Sequence, residues 1–323
     1  MGYPLKIHLG LILYPYHHGI EYILVGTCEE QLMFVKRGLH EGPFSGLKKT
    51  LSLIYSQEKI RNGRLTVGLS LSITQSLVLG NLAPSSTDRA SDLPFVLAHL
   101  KQHLAEDLAL LSVDFRRISD DRVWVLSCPR EKIQEILSLN QKSALVSAIE
   151  PSINGLLRLL SQRFYSLTPQ FYADETFAFL WLDGNQKEKV YRFSCFQGFQ
   201  IIASETLPQA NAGSSQLGQF LIACLQKYHS HWAKCSMNPL ATTREESPKS
   251  ASTDGALPTQ RGGSTLQGYS LFLWIDEPLE SPLVSTLERA FADSCNLNLR
   301  TITPKSCGLE HADEYAALGL ALR

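Results

Sequence analysis

The chain has 323 residues, which at on the order of 150 residues per domain predicts about two domains, and 44% hydrophobic with 19% charged residues is a globular composition. Thirty Lys and Arg against 31 Asp and Glu leave a net charge of -1, which excludes a basic nucleic-acid-binding protein as the default and gives no field toward anionic lipid. The longest strictly apolar run, Phe177 to Leu182, falls far short of the roughly 18 residues that span hydrocarbon. At the N-terminus a single Lys6 precedes Ile7, but His8 and Tyr14-Pro-Tyr-His-His18 break any signal-peptide core and no small-residue cleavage site follows. Lys6 also stands where a myristoylation signal needs Ser or Thr. The expectation is a chain that starts in the cytoplasm. Cysteines at 28, 128, 195, 224, 235, 295 and 307 form no C-x-x-C pair, and their odd number argues for reduced thiols acting as small buried hydrophobes.

The opening reads as an antiparallel meander. Leu5 to Leu13, Ile20 to Gly26 and Leu32 to Lys36 are strand-like runs joined by His17-His18-Gly19 and Cys28-Glu29-Glu30. From Phe44 the apolar residues fall at 44, 47, 51 and 54, one helical stripe, with Lys48, Lys49, Ser52 and Gln57 opposite and Asn62-Gly63 as the stop. Arg64 to Ser70 is a further strand. Ser76 to Leu82 then starts a small unit ordered strand, helix, strand, strand, helix. Its first helix carries Leu93, Val96, Leu97, Leu100, Leu104 and Leu108 with Pro94 near the start. The strands Leu110 to Ile118 and Val123 to Cys128 follow, and its second helix opens at Pro129 with Ile133, Ile136 and Leu137 on one face. This order makes a compact α+β insertion. Leu145 to Ile149 resumes a strand, and Glu150-Pro151 precedes a helix with Ile153, Leu156, Leu157 and Leu160.

The second half repeats the same grammar. Thr176 to Leu182, Lys189 to Phe196 and Phe199 to Leu207 are three strands, the first two joined through Asp183-Gly184-Asn185, and Leu217 to Tyr228 is the helix after them. Three strands and a helix, twice, predict two related α/β domains facing each other across a cleft. Residues 236 to 267 turn to Ser, Thr, Pro, Gly and Arg with almost no large apolar side chain and read as a disordered loop. Tyr269 to Ile275 is a strand, Ser281-Pro282 opens a helix with Leu283, Val284, Leu287 and Phe291, Leu299 to Thr303 is a strand, and Ala312 to Leu322 is a closing helix.

In this order the pieces resemble the PilM and HofM family of type IV pilus and competence proteins, including MshI of the MSHA pilus. The stretch Ala148-Ile-Glu-Pro-Ser-Ile-Asn-Gly-Leu-Leu157 is similar to the family's glutamate-proline segment and the aliphatic helix after it. Tyr315-Ala-Ala-Leu-Gly-Leu-Ala-Leu-Arg323 is similar to its small-residue terminal helix, and Asp92 to Phe115 resembles its insertion helix followed by an acidic turn, an aspartate and an aromatic residue. The resemblance covers nearly the whole chain. It implies an α/β fold of two actin-like (ribonuclease-H-like) domains facing a cleft, FtsA-like, with a small SHS2-type α+β insertion in the first. The implied divisions are 1–72 with 142–168 for the first domain, 73–141 for the insertion, and 169–323 for the second domain with its loop at 236–267.

The same resemblance implies a cytoplasmic scaffold, peripheral at the inner membrane, that binds the cytoplasmic N-terminal segment of a bitopic partner of the PilN or HofN type near the insertion. Active actin-like ATPases hold ATP between two acid-bearing hairpins and a late glycine pair. Here the first hairpin, Leu13-Tyr-Pro-Tyr-His-His-Gly19, has no carboxylate, and Trp274-Ile-Asp-Glu-Pro278 stands in place of the glycines. Asp183 and Gly184 remain as nucleotide-binding candidates, with an ordinary Asp-Gly hairpin turn as the alternative. No cofactor is expected, with ATP and magnesium as the alternative, and no catalytic or metal-binding residue is assigned. The competing function is an ATP-binding protein or ATPase of the same fold using Asp183.

Other constellations read as structural. His99 and His103 share a helix flank at metal-ligand spacing, with Glu106 a turn on, but two ligands make no site. His229 and His231 flank Tyr228 and Trp232 near a helix end, and Cys128 sits before Pro129 at a helix start, where a thiolate is favoured. No G-x-S-x-G, G-x-x-x-x-G-K-[ST] or G-x-G-x-x-G occurs, which leaves serine hydrolase, P-loop and dinucleotide readings unsupported.

Overall fold

A computed structural model describes residues 7–16, 18–71, 73–80, 89–103, 107–119, 122–163, 176–184, 189–197, 200–207, 213–236, 269–274, 283–287, 289, 297–301 and 312–322. The expected disordered loop lies outside these residues, apart from Ser236 at the end of a helix.

The meander forms as β1 (Ile7–Tyr16), β2 (Gly19–Cys28) and β3 (Gln31–Glu41). Cys28 pairs with Gln31, so Glu29 and Glu30 form a two-residue loop, and both take positive φ, 49° and 65°. Two consecutive left-handed residues match the twist of the flanking strands. Helix α1 (Phe44–Gln57) buries Leu47, Leu51, Ile54 and Tyr55, the stripe expected from spacing. It stops earlier than Asn62-Gly63: Lys59 takes φ 55° while the Ile60 amide donates to the Tyr55 carbonyl at 2.8 Å, closing the last turn without a glycine. The chain continues into β4 (Gly63–Leu69) and, after the small unit, β8 (Ala144–Pro151). The first sheet has the order β3-β2-β1-β4-β8, with β1, β4 and β8 parallel.

Strands β9 (Thr176–Gly184), β10 (Lys189–Gln197), β11 (Gln200–Leu207), β12 (Tyr269–Trp274) and β13 (Leu297–Thr301) repeat this as β11-β10-β9-β12-β13. The antiparallel meander and the parallel pairs recur in the same places. The duplication inferred from element order is thus a duplication of topology.

Between β4 and β8 the chain builds β5 (Gln75–Leu79), α2 (Arg89–His103), β6 (Leu111–Ser119), β7 (Arg122–Pro129) and α3 (Arg130–Leu137), with its own antiparallel sheet β5-β7-β6. Val96 and Leu100 of α2 pack on Leu79, Phe115, Val123 and Val125. Three details differ from the expected stripes. Helix α2 begins at Arg89, so Pro94 lies in its second turn rather than its first. Leu93 turns outward, because the buried position beside it is taken by Asp92, whose carboxylate accepts from Arg117 Nε and Nη2 at 2.8 and 2.7 Å. Leu137 of α3 is exposed as well, and Leu139 in the following turn enters the core in its place.

Helices α4 (Ser152–Arg163) and α6 (Ala312–Ala321) form the layer shared by both sheets. A single core joins Ile12, Tyr14, Ile23 and Val25 of the first sheet to Phe177, Phe179, Trp181, Phe196 and Ile201 of the second through these helices. Every residue from Tyr315 to Ala321 is buried, as for a helix enclosed on all sides. Although last in the chain, α6 lies on the first sheet: Thr27 Oγ1 donates to the Ala321 carbonyl at 3.2 Å, and a Cβ on Gly10 would overlap the Ala317 carbonyl. A Cβ on Gly319 would overlap the Gly155 carbonyl, and one on Gly155 the Ala316 carbonyl. On the outer faces, α1 and α3 cover the first sheet, while α5 (Ser214–Ser236) and the helical residues 283–287 cover the second.

Glycine to alanine inside a helix ordinarily stabilises by up to about 1 kcal/mol. Gly319→Ala is expected instead to lower the unfolding free energy by about 1–3 kcal/mol through overpacking, with an unchanged urea m-value; a gain in stability would mean that α4 and α6 can part. Hydrogen bonds from Arg117 hold the Asp92 carboxyl below its ordinary range, against a smaller opposing effect of burial. Its contribution is therefore present at neutral pH and lost as pH falls through the lowered value. The Tm deficit of Asp92→Asn should be largest near neutrality and shrink below about pH 4.

Candidate functional site

In open α/β sheets ligands bind outside the carboxyl ends of parallel strands, where loops diverge. Here those ends are Tyr16, Leu69 and Pro151 in the first sheet and Gly184, Trp274 and Thr301 in the second, with the hairpins β1–β2 and β9–β10 closing at the same ends.

The first hairpin pairs Tyr16 with Gly19. A Cβ on Gly19 would overlap the His40 carbonyl and come close to the Tyr16 hydroxyl, so this glycine is required by the chain's own close approach. Strand alternation puts Tyr14 and Tyr16 on the face that carries Ile12 into the shared core, with Glu21 opposite Tyr14 and Arg37 opposite Ile23 on that same face. Glu21 is 6% exposed, and Arg37 Nε lies 3.6 Å from its Oε1. Burial first, then Glu41 and Glu21, push the Tyr16 hydroxyl above its ordinary range. No carboxylate stands on β1, as read from the sequence, but a buried one stands across the hairpin on β2. Both Glu21 and Arg37 were missed from the sequence, and the available signal was a charge at an inward position of an apolar strand.

The ends of β4 and β8 carry Gly68 opposite Glu150. Arg158 of α4 donates through Nη2 to both Glu150 oxygens at 3.0 Å and through Nη1 to the Gly319 carbonyl at 3.0 Å. Arg158 therefore ties β8, α4 and α6 together, with Glu150 as its anchor on β8. Nearby on α4, Asn154 Oδ1 is buried and has no hydrogen-bond partner among the described residues.

In the second hairpin Asp183 and Gly184 are the last residues of β9, in register with Val190 and Lys189. Asp183 continues the alternation Phe177, Phe179, Trp181 by register, and Asn185 lies outside the described residues. Arg192 of β10, opposite Trp181 and 7% exposed, donates from Nη1 to Thr206 Oγ1 at 3.1 Å, and Ser194 bonds Ser204 at 2.9 Å on the same face. Arg192 is a third inward charge that the sequence reading passed over. Trp274 ends β12, and residues 275–278 lie outside the described residues.

Of the other candidates, the His99 ring bonds the Phe95 carbonyl through Nδ1 at 3.0 Å and lies tilted by 35° against the Phe95 ring, 3.8 Å between centroids. The side chains of His103, His229 and His231, and Glu106 entirely, lie outside the described residues. No group of three or more metal-ligating residues occurs among the described residues. At Cys128 burial pushes the thiol up to about 11, with Lys132 opposing. Cys224 is pushed up to about 12, by burial and then Glu205. No helix among the described residues is long and apolar enough to cross a membrane.

No protein-family model and no curated protein matches the chain. Solved structures do. The PilM–PilN type IV pilus biogenesis complex matches at 14% identity and TM-score 0.57, covering 99% of this chain and 99% of that one. The chain shares the fold of that structure, a duplicated α/β unit with an inserted α+β unit in this chain's first half. The match agrees with the resemblance read from Glu150-Pro151 and the terminal helix. A Bacteroides thetaiotaomicron protein with an actin-like ATPase fold and unknown function matches at 10% identity and TM-score 0.43, covering 96% and 95% of the two chains. The cytoplasmic domain of EpsL, an inner-membrane component of the Vibrio cholerae type II secretion system, matches at 12% and 0.42, covering 88% and 94%.

Thiols with raised pKa react slowly, because the thiolate is the nucleophile. In the folded protein at pH 8 Cys128 and Cys224 are expected to resist iodoacetamide, while both label fully in urea. Peptide mass spectrometry reads this out, and rapid labelling of folded Cys128 would contradict its burial.

Proposed function

We propose that the chain is a scaffold of a type IV pilus, competence or MSHA-like assembly that binds the short cytoplasmic segment of a bitopic inner-membrane protein of the PilN or HofN type. Its nucleotide pocket serves no hydrolysis. The observation that carries this reading is the likeness to the PilM–PilN complex over 99% of both chains. Such a protein reaches the membrane through its partner and works at its cytoplasmic face. The bound segment lies near the inserted unit and gains from backbone pairing or apolar pockets.

Three features support a pocket that has lost its nucleotide. The first hairpin has no acid on β1 to hold a magnesium-bound water. Its glycine is backed by the chain's own carbonyl and tyrosine hydroxyl, which leaves no cradle for a phosphate. The carboxylate that does stand there, Glu21, faces Arg37. These residues do not fit a magnesium nucleotide. The second reading, ATP binding at Asp183 and Gly184, is favoured only by their place at the carboxyl end of β9.

Calorimetric titration of the purified chain separates the two. A synthetic peptide copying the N-terminal segment of the neighbouring membrane protein is expected to bind, while ATP with magnesium gives no heat. Silence with the peptide would overturn the partner reading. ATP binding that disappears in Asp183→Ala would overturn the lost pocket and put the second reading first.

A further inference from the structure

The inserted unit leaves the first sheet after β4 and returns to it at β8, so by chain connectivity it belongs to the first lobe. Its return is firmly rooted: Cys128, Ile136 and Leu139 join the core under α1. Its other side meets the second lobe. Trp124 Nε1 on β7 donates to the Ile201 carbonyl at 2.7 Å and to Ser76 Oγ at 2.8 Å, and Ser76 Oγ on β5 donates to the same carbonyl at 2.7 Å. Ile201 lies on β11, the edge strand of the second sheet, directly after the register shift at Cys195/Phe196 in its neighbour. Its side chain is buried in the core shared by the two lobes.

We infer that the inserted unit is a latch that fixes the angle between the two lobes, and that opening the cleft between the two hairpins requires Trp124 and Ser76 to leave the Ile201 carbonyl. An indole N–H is a donor only, and an outward carbonyl of an edge strand accepts from whatever is offered, water included. The latched and released states therefore both satisfy their hydrogen bonds, which makes this contact reversible. The close backbone approach at Gly155 and Gly319 allows no such exchange, so that layer acts as the pivot. The unit is stiff enough to transmit the motion, since Asp92 and Arg117 tie α2 to β6 through two hydrogen bonds.

Spin labels introduced as unnatural amino acids at the exposed Arg116 of β6 and Gln219 of α5 report the separation of the inserted unit from the second lobe by electron-electron resonance. The unaltered latch is expected to give one narrow distance distribution. Trp124→Phe keeps the ring and removes the donor, and it should broaden the distribution at least twofold toward longer distances while the far-UV spectrum stays unchanged. Ser76→Ala removes one of the two donors to Ile201 and should broaden it less; it stands as the test should the Phe variant fail to fold. Hydrogen exchange at the amides of α4 and α6 should stay within a factor of two, as expected of a pivot. Distributions unchanged in the folded variants would overturn the latch, and so would exchange rising equally in α4 and α6, which would mark a general loss of stability.

Discussion

The structure depends on one close approach, that of the α4 backbone to the α6 backbone at Gly155 and Gly319. Any side chain larger than hydrogen would push the helices apart, and with them the two sheets whose inner faces they fill. Around the crossing the buried residues grow in size, from Ala316 and Ala317 to Leu156, Leu320 and Tyr315, and then to the aromatic row Phe177, Phe179 and Trp181 on β9. Small residues set the distance between backbones and large ones fill the space that distance leaves. Arg158 secures the same crossing from its polar side by bonding the Glu150 carboxylate and the Gly319 carbonyl. Such a layer suits a pair of lobes that rotate about each other better than a pair that separate.

The charged groups on the inner faces of the lobes are mostly engaged with one another. Glu21 faces Arg37, Glu150 holds Arg158, and Arg192 bonds Thr206. A buried charge without a partner is costly, so pairing is what allows these residues to remain largely buried. The same pairing removes them from service as free ligands for a phosphate or a metal ion. A nucleotide that entered here would have to compete with an ion pair already made, in a surrounding where separating the two charges is expensive.

The architecture was legible in the sequence where periodicity was strong. The stripe at Leu47, Leu51 and Ile54, the repeated strand triplets and the small-residue helix at Tyr315 each had one dominant physical cause, and each formed as read. Errors fell where two causes competed. Leu93 and Leu137 fit their stripes, but an ion pair at Asp92 and the turn after α3 took the buried places. Helix α1 ended before its glycine because Lys59 accepted a left-handed conformation. The site was less legible than the fold. Glu21, Arg37 and Arg192 look like ordinary strand charges until the topology shows which face turns inward, and that information is carried by pairing between distant segments. The position of Asp183 could be read directly, because a hairpin is local.

Two kinds of contact join the lobes, and they differ in what they can become. The α4–α6 layer is apolar and close-packed, so partial separation would leave a void with no replacement atoms, and intermediate states are disfavoured. The contact of Trp124 and Ser76 with Ile201 is polar, lies at a sheet edge, and can exchange its partners for water at small net cost. A body held by one contact of each kind has a single soft coordinate, rotation about the packed layer. The inserted unit reaches both lobes: its helix α3 is packed into the core of the first under α1, and its strands β5 and β7 contact the second at Ile201. A ligand held at that unit would therefore act on this soft coordinate directly.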